Sequence, residues 1–230
     1  MFKYVLVALL IALSSCAPTQ PVAIMEPSFV ASADSGYKTY IPEAGAVMIE
    51  VESFEEADVA QTIAHLKRLD DGKRQIWIRI DSYGGALNSG MDLIQAIESI
   101  RSPVVCVADN KAMSMGFFLL QGCPTRVMTK RTVLMLHEPA AGAQGNQHEL
   151  ANQAKYLKAF TRQLIALCDR MNILPDDLEK KLAEGEWVLN WKEAVEVEAV
   201  DGLIEPRELP KLEETPAAPQ NNLFQQLFQR

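Results

Sequence analysis

Several kinds of chemistry are excluded by what this chain lacks. It has only three His and four Cys among 230 residues, and neither a CxxC nor an HExxH spacing, so no metal site is expected. It has no basic cluster. Lys and Arg number 22 against 30 Asp and Glu, a net charge of −8, which argues against nucleic acid as a partner. It has no apolar run near the ~20 residues a membrane-spanning helix needs. Nothing in the sequence calls for a cofactor. What is present, 48% hydrophobic and 23% charged residues, is ordinary globular composition and excludes a mainly disordered chain, a collagen or a polytopic membrane protein. The length suits one core with appendages.

The longest apolar run, residues 4–13, follows Lys3 and has the length of a signal-peptide core. Leu13-Ser14-Ser15-Cys16 then resembles the lipobox of bacterial lipoproteins. That resemblance implies cleavage before Cys16 and acylation of Cys16, anchoring the chain to a lipid bilayer. Ala17, rather than Asp, implies the periplasmic side of the outer membrane in a Gram-negative cell envelope. The plainer alternative is an ordinary cleaved signal with a chance cysteine. Loss of residues 1–15 removes Lys3 and leaves a net charge of −9. Residues 16–44, with Pro18, Pro21, Pro27 and Pro42, read as a lipid-anchored linker. Cys106, Cys123 and Cys168 all have apolar neighbours. An oxidising compartment permits one disulfide among them, but buried free thiols are the expectation.

From residue 45 the pattern alternates strand and helix. Residues 46–52 and 75–80 read as strands, and Pro103 introduces another over 104–108. Residue 133 opens a strand that ends at His137. Ser53 and Glu56 form a candidate capping box before the stripe Val59, Ile63, Leu66. Helices are expected over 87–100, 114–122, about 147–170, from Pro175, and over 191–197. In the long one, Leu150, Ala154, Leu157, Phe160, Leu164 and Leu167 make the apolar stripe. This order predicts an α/β domain with a mainly parallel sheet over 45–207. Residues 208–230 read as a mostly disordered tail; Leu223, Phe224, Leu227 and Phe228 have the spacing of one amphipathic turn that could dock on a partner, but a fraying terminus is the expectation.

Three turns carry candidate chemistry. Asp81-Ser82-Tyr83-Gly84-Gly85 lies between a strand and a helix, and its paired glycines let backbone N–H groups approach a ligand. Ser114, in Ala112-Met113-Ser114-Met115-Gly116, opens a helix. It is either an N-cap or a nucleophile beside a helix N-terminus that favours an oxyanion. His137 closes the hydrophobic strand Val133-Leu134-Met135-Leu136. His65 and His148 read as solvent-facing.

Taken together, residues 80–202 resemble the proteolytic subunit of the Clp protease family, within the Clp/crotonase fold group. The resemblance rests on Ser82-Tyr83-Gly84-Gly85 with Gly90-Met91, on Ala112-Met113-Ser114-Met115-Gly116, and on Met135-Leu136-His137-Glu138-Pro139. Gly142-Ala143-Gln144-Gly145, the long helix and Glu193-Ala194-Val195-Glu196 extend it. It implies an α/β fold of repeated ββα/βα units, with a mainly parallel sheet and a long helix after the histidine. It also implies Ser114 as nucleophile, His137 as general base, and an oxyanion hole from the N–H groups of Gly85 and Met115. The family's acidic residue falls seven positions before Glu193, at Glu186, where the family has Asp. Tyr83 and Asn110 depart from the family's Pro and Gly.

The function this implies is a membrane-anchored serine endopeptidase cleaving peptides or unfolded proteins, assembled as a homo-oligomeric ring. Extracytoplasmic space has no ATP, which argues against an ATPase partner. Three other readings stay open: a catalytically silent scaffold of the same fold, a signal-peptide-peptidase-like Ser–Lys enzyme using Lys111 or Lys130, and a crotonase-type thioester enzyme. Lys111 lies three residues before Ser114, beside rather than facing it.

Overall fold

The computed structural model describes residues 29–31, 37–142 and 144–213. Residues 1–15, the acylation reading at Cys16 and the turn at 223–228 lie outside the described residues. The chain runs β1 (Phe29–Ala31), β2 (Lys38–Tyr40), β3 (Val47–Val51), α1 (Glu56–Leu69), β4 (Ile76–Ser82), α2 (Leu87–Glu98), β5 (Val104–Met113) and α3 (Met115–Gln121). It continues through β6 (Thr125–Met128), β7 (Val133–Leu136), α4 (Gln147–Leu167), α5 (Pro175–Glu184), β8 (Trp187–Leu189), α6 (Trp191–Glu196) and β9 (Gly202–Leu203).

The strands form one sheet in the order β1-β2-β9-β6-β5-β4-β3, with β7 on β5 and β8 on β7. Among the described residues only β1/β2 and β7/β8 pair antiparallel. The expected α/β fold with a mainly parallel sheet is what the chain adopts. β5 is its spine. Residues 104–108 pair with β4 and β6, and residues 111–113 pair with β7.

Alternation along the central strands divides the apolar core in two. Ile49, Ile78, Ile80, Cys106 and Ala108 face the helices, while Met48, Trp77, Val105, Val107 and Val127 pack with Tyr40 and Ile204 on the other face. Both faces are covered, which is why these strands read as continuous apolar runs. All seven residues of α3 are buried, so that helix is apolar on every side. Gly90 of α2 lies against the Met115 side chain with no room for a Cβ, which seats α2 closely on α3. At the far end of α3, the Arg170 guanidinium donates to the carbonyls of Gln121, Cys123 and Pro124 and places its cation where the helix leaves unpaired acceptors.

Several expectations are corrected. Ser53 does not cap α1. The helix starts at Glu56 with no side-chain cap bond, and Ser53 Oγ accepts from the Glu55 N–H instead. The capping boxes are Asn146 with Glu149 and Asn190 with Glu193. The stretch read as linker contributes β1 and β2, and β2 joins the sheet through a parallel pairing with β9. The stretch read as a tail is ordered at its start. Met48 accepts from the Glu213 N–H and donates to the Lys211 carbonyl, so residues 211–213 cover the outer edge of β3. His65 is buried, only 3% exposed, and burial lowers its pKa. Of the α4 stripe, Phe160 and Leu164 are core, but Leu150 is 41% exposed and Ala154 is exposed as well.

The thiol expectation also fails in part. Cys106 of β5 and Cys123, just beyond α3, form a disulfide, and Cys168 is the buried free thiol. Burial pushes the Cys168 pKa up to about 12, so it is inert as a nucleophile. The disulfide spans 17 positions and encloses Ser114. Closing a loop of that size in the unfolded chain is worth about 3 kcal/mol. Cys106→Ala/Cys123→Ala is therefore expected to unfold at lower urea by that amount, with Tm lower by about 6–12 °C. Equal urea midpoints under non-reducing conditions would show that the two sulfurs are not paired.

Candidate active site

Ser114 sits between the end of β5 and the first residue of α3. Its backbone is left-handed, φ 51° and ψ −120°. A β-carbon makes that conformation cost about 1–3 kcal/mol, and such strain concentrates where a side chain must be presented from a sharp turn. Its hydroxyl makes no capping bond, which removes the N-cap reading. Its own N–H donates to the Met135 carbonyl at 2.7 Å, and Met113 lies in register with Met135. That pairing sets Ser114 beside the end of β7, where His137 follows Leu136.

His137 is half-buried, and its Nδ1 lies 2.7 Å from the Glu138 carbonyl. A carbonyl only accepts, so Nδ1 carries the proton, and in the neutral ring Nε2 keeps its lone pair. This is the tautomer a general base needs. Glu186 immediately precedes β8. The antiparallel register pairs Leu136 with Trp187, so its next step sets position 186 opposite position 137. Glu186 is exposed there. In the single chain no hydrogen bond joins Ser114 to His137 or His137 to Glu186, among the described residues. Asp201, a further carboxylate downstream of His137, is paired with Arg126 and Arg170.

The Ser82–Gly85 loop, expected to carry an oxyanion donor, is equally defined. Ser82 Oγ donates to the Glu52 carbonyl at 2.7 Å and accepts from the Gly84 N–H at 3.1 Å. Gly84 has φ 97°, and a Cβ there would meet the Met113 carbonyl at 2.7 Å and Ser114 Cβ at 2.8 Å. Only glycine brings this loop so close to the serine. Gly85 and Met115, by contrast, have no acceptor for their N–H groups among the described residues. Met115 is the first residue of α3, where a helix leaves its donors open. Two N–H groups thus remain to meet negative charge developing next to Ser114.

The lysines are engaged elsewhere. Lys111 Nζ lies 2.5 Å from Asp81 Oδ1, and that hydrogen bond holds its pKa above the usual lysine value. Lys130 lies over the Tyr37 and Trp191 rings and within 3.9 Å of Glu205, and its pKa is raised too, chiefly by the Tyr37 hydroxyl. A lysine kept as the ammonium ion cannot take the proton of a serine, so the geometry offers no Ser–Lys pair.

The Clp protease family model matches residues 37–207. The chain belongs to the Clp protease family. The match begins at Tyr37, inside the stretch read as linker, in accord with β2 being part of the sheet. Peptidase activity on protein substrates and assembly into oligomeric rings are the habits of this family. The expected α/β architecture and the resemblance drawn from the Ser114 and His137 motifs both hold.

Sequence reading missed the hydrogen bond from His137 to its own neighbour's carbonyl. It also missed the contacts of Lys111. A lysine three residues before the serine was visible, but its partner Asp81 lies 30 positions away.

Proposed function

We propose that this protein is a lipid-anchored serine endopeptidase that cleaves peptides or unfolded proteins without ATP. Ser114 is the nucleophile, His137 the general base, Glu186 the carboxylate that orients it, and Gly85 and Met115 the oxyanion donors. One observation carries the reading. Ser114 is held in a strained strand-to-helix turn, free of capping bonds, beside two open N–H groups and a histidine in the accepting tautomer. Attack by Ser114 Oγ on a peptide carbonyl passes its proton to His137 Nε2. The tetrahedral oxygen takes its charge to the two N–H groups, and the imidazolium returns the proton to the leaving amine.

The Cys106–Cys123 disulfide supports an extracytoplasmic home, since such bonds persist in oxidising compartments. It agrees with the apolar leader and with Cys16 as the anchor. The outer half of α4, with Leu150 and Tyr156 exposed, supports self-association into a ring, and no ATPase partner is required.

One observation favours a silent scaffold instead: the single chain closes neither the Ser114–His137 nor the His137–Glu186 hydrogen bond. A fluorophosphonate probe separates the two. The peptidase labels at Ser114 and the Ser114→Ala variant does not. A wild-type protein that stays unlabelled is a scaffold.

The anchor has its own test. Cys16→Ala is expected to abolish incorporation of a clickable fatty acid and to release the protein from the membrane fraction. Undiminished label in that variant would place the lipid elsewhere or remove it from the account.

A further inference from the structure

The strand that carries the nucleophile and the loop that carries the oxyanion donor are joined by side chains that the serine mechanism does not use. Between Ile80↔Ala108 and Ser82↔Ala112 the β4/β5 register shifts, so that two steps on β4 face four on β5. Residues 109–111 thus face the single residue Asp81, two more than a regular ladder would place there, with Asn110 at φ 76° and Lys111 already paired with Val133 of β7. Asn tolerates this left-handed conformation better than most residues. Asp109, 1% exposed, pins the base of the bulge through Arg79 and Arg131.

The other two bulge residues converge on Asp81. Asn110 Nδ2 donates to its two oxygens at 3.1 and 3.2 Å, and Lys111 Nζ donates to Oδ1 at 2.5 Å. The same ammonium lies 4.6 Å from the centroid of the Tyr83 ring. Tyr83 immediately precedes Gly84 and is 74% exposed, with this cation over its ring. Lys111 and Asp81 side chains are only 19% and 16% exposed, which shields the pair from solvent screening.

We propose that Lys111 is a positioning residue for the oxyanion hole: anchored on Asp81, it grips the Tyr83 ring and holds the Tyr83-Gly84-Gly85 loop against Ser114. It touches no reacting atom. The Gly84–Ser114 approach leaves no slack, so a loop that drifts outward carries the Gly85 N–H away from the tetrahedral oxygen. The inference rests on the serine peptidase reading for its effect on rate, but not for its effect on the loop.

The test therefore has two readouts on the full chain. One is the rate of fluorophosphonate labelling. The other is amide hydrogen exchange over residues 82–86. Lys111→Met keeps the stem and removes the charge. It is expected to slow labelling about 10- to 100-fold, the scale of a displaced rather than deleted donor. It should also speed exchange about threefold to tenfold, the range a partly shielded cation–π contact allows. Tyr83→Leu should do the same, and the double variant should be no worse than either single one. Lys111→Arg, which keeps the cation, should recover most of both. Labelling and exchange at wild-type values in Lys111→Met would overturn the clamp. If the wild type itself never labels, the peptidase reading fails, and exchange alone decides. Unchanged exchange overturns the clamp, and faster exchange leaves it standing as a loop restraint in a non-peptidase. Complete loss of labelling in both Lys111→Met and Lys111→Arg, with unchanged exchange, would make Lys111 a catalytic base and overturn the positioning role.

Discussion

Ser114→Ala is expected to lose peptide cleavage by about 10⁴- to 10⁶-fold, and His137→Ala alone to lose nearly as much. The double variant should be little worse than either, because an unactivated hydroxyl and a base with nothing to deprotonate are equally idle. Residual turnover then belongs to Gly85 and Met115, which still polarise the carbonyl. The backbone supplies a second signature. At φ 51° a side chain of any kind is strained, and glycine is not. Ser114→Gly should therefore be as inactive as Ser114→Ala yet more stable than it by about 1 kcal/mol in urea unfolding, strain relief being partly offset by the entropy of the unfolded glycine. A position where glycine is more stable than alanine, yet a serine stands, is one in which the strained turn serves chemistry rather than folding. Wild-type cleavage by either single variant would remove that residue from the mechanism.

Much of this architecture was legible because the central strands and inner helices carry strong local patterns. β4, β5 and α2 are bounded by Gly72, Pro103 and the paired glycines, and α3 is apolar on every side. The short strands were not. β8 and β9 contain only three and two residues, and their pairing comes from what lies beside them rather than from propensity. Periodicity showed that α4 has an apolar stripe, but periodicity cannot say what covers it, and in the single chain only the Phe160–Ile165 end is buried. The disulfide escaped for a related reason. Apolar neighbours around Cys106 and Cys123 announce burial equally for thiols and for a bridge, and only the fold of α3 back along β5 brings the sulfurs together. In the site, Ser114 and His137 were legible as motifs on turns. The grip of Lys111 on Tyr83 was not, because it depends on a bulge that lengthens β5 by two residues.

Glu186 carries the remaining large effect. It is one methylene longer than the aspartate of the family pattern, and it lies one register step beyond Leu136↔Trp187, opposite His137. The preceding Gly185 has φ 128° and open space around it, so the backbone there can bring a longer side chain inward. The Glu138 carbonyl already selects the Nδ1–H tautomer, but it is neutral and offers the imidazolium only a dipole. A carboxylate adds a full charge, which matters when Ser114 hands its proton to Nε2. Glu186→Gln is accordingly expected to keep the fold and substrate binding and to lower kcat by about 10²- to 10⁴-fold, the upper figure being the cost of a mis-set triad. Glu186→Asp keeps the charge and gives up only reach, so it should hold more activity than the glutamine variant. The decisive comparison is kcat and KM for the three proteins side by side. If Glu186→Gln turns over like the wild type, Glu186 is a solvated surface carboxylate, and the Glu138 carbonyl alone orients the base.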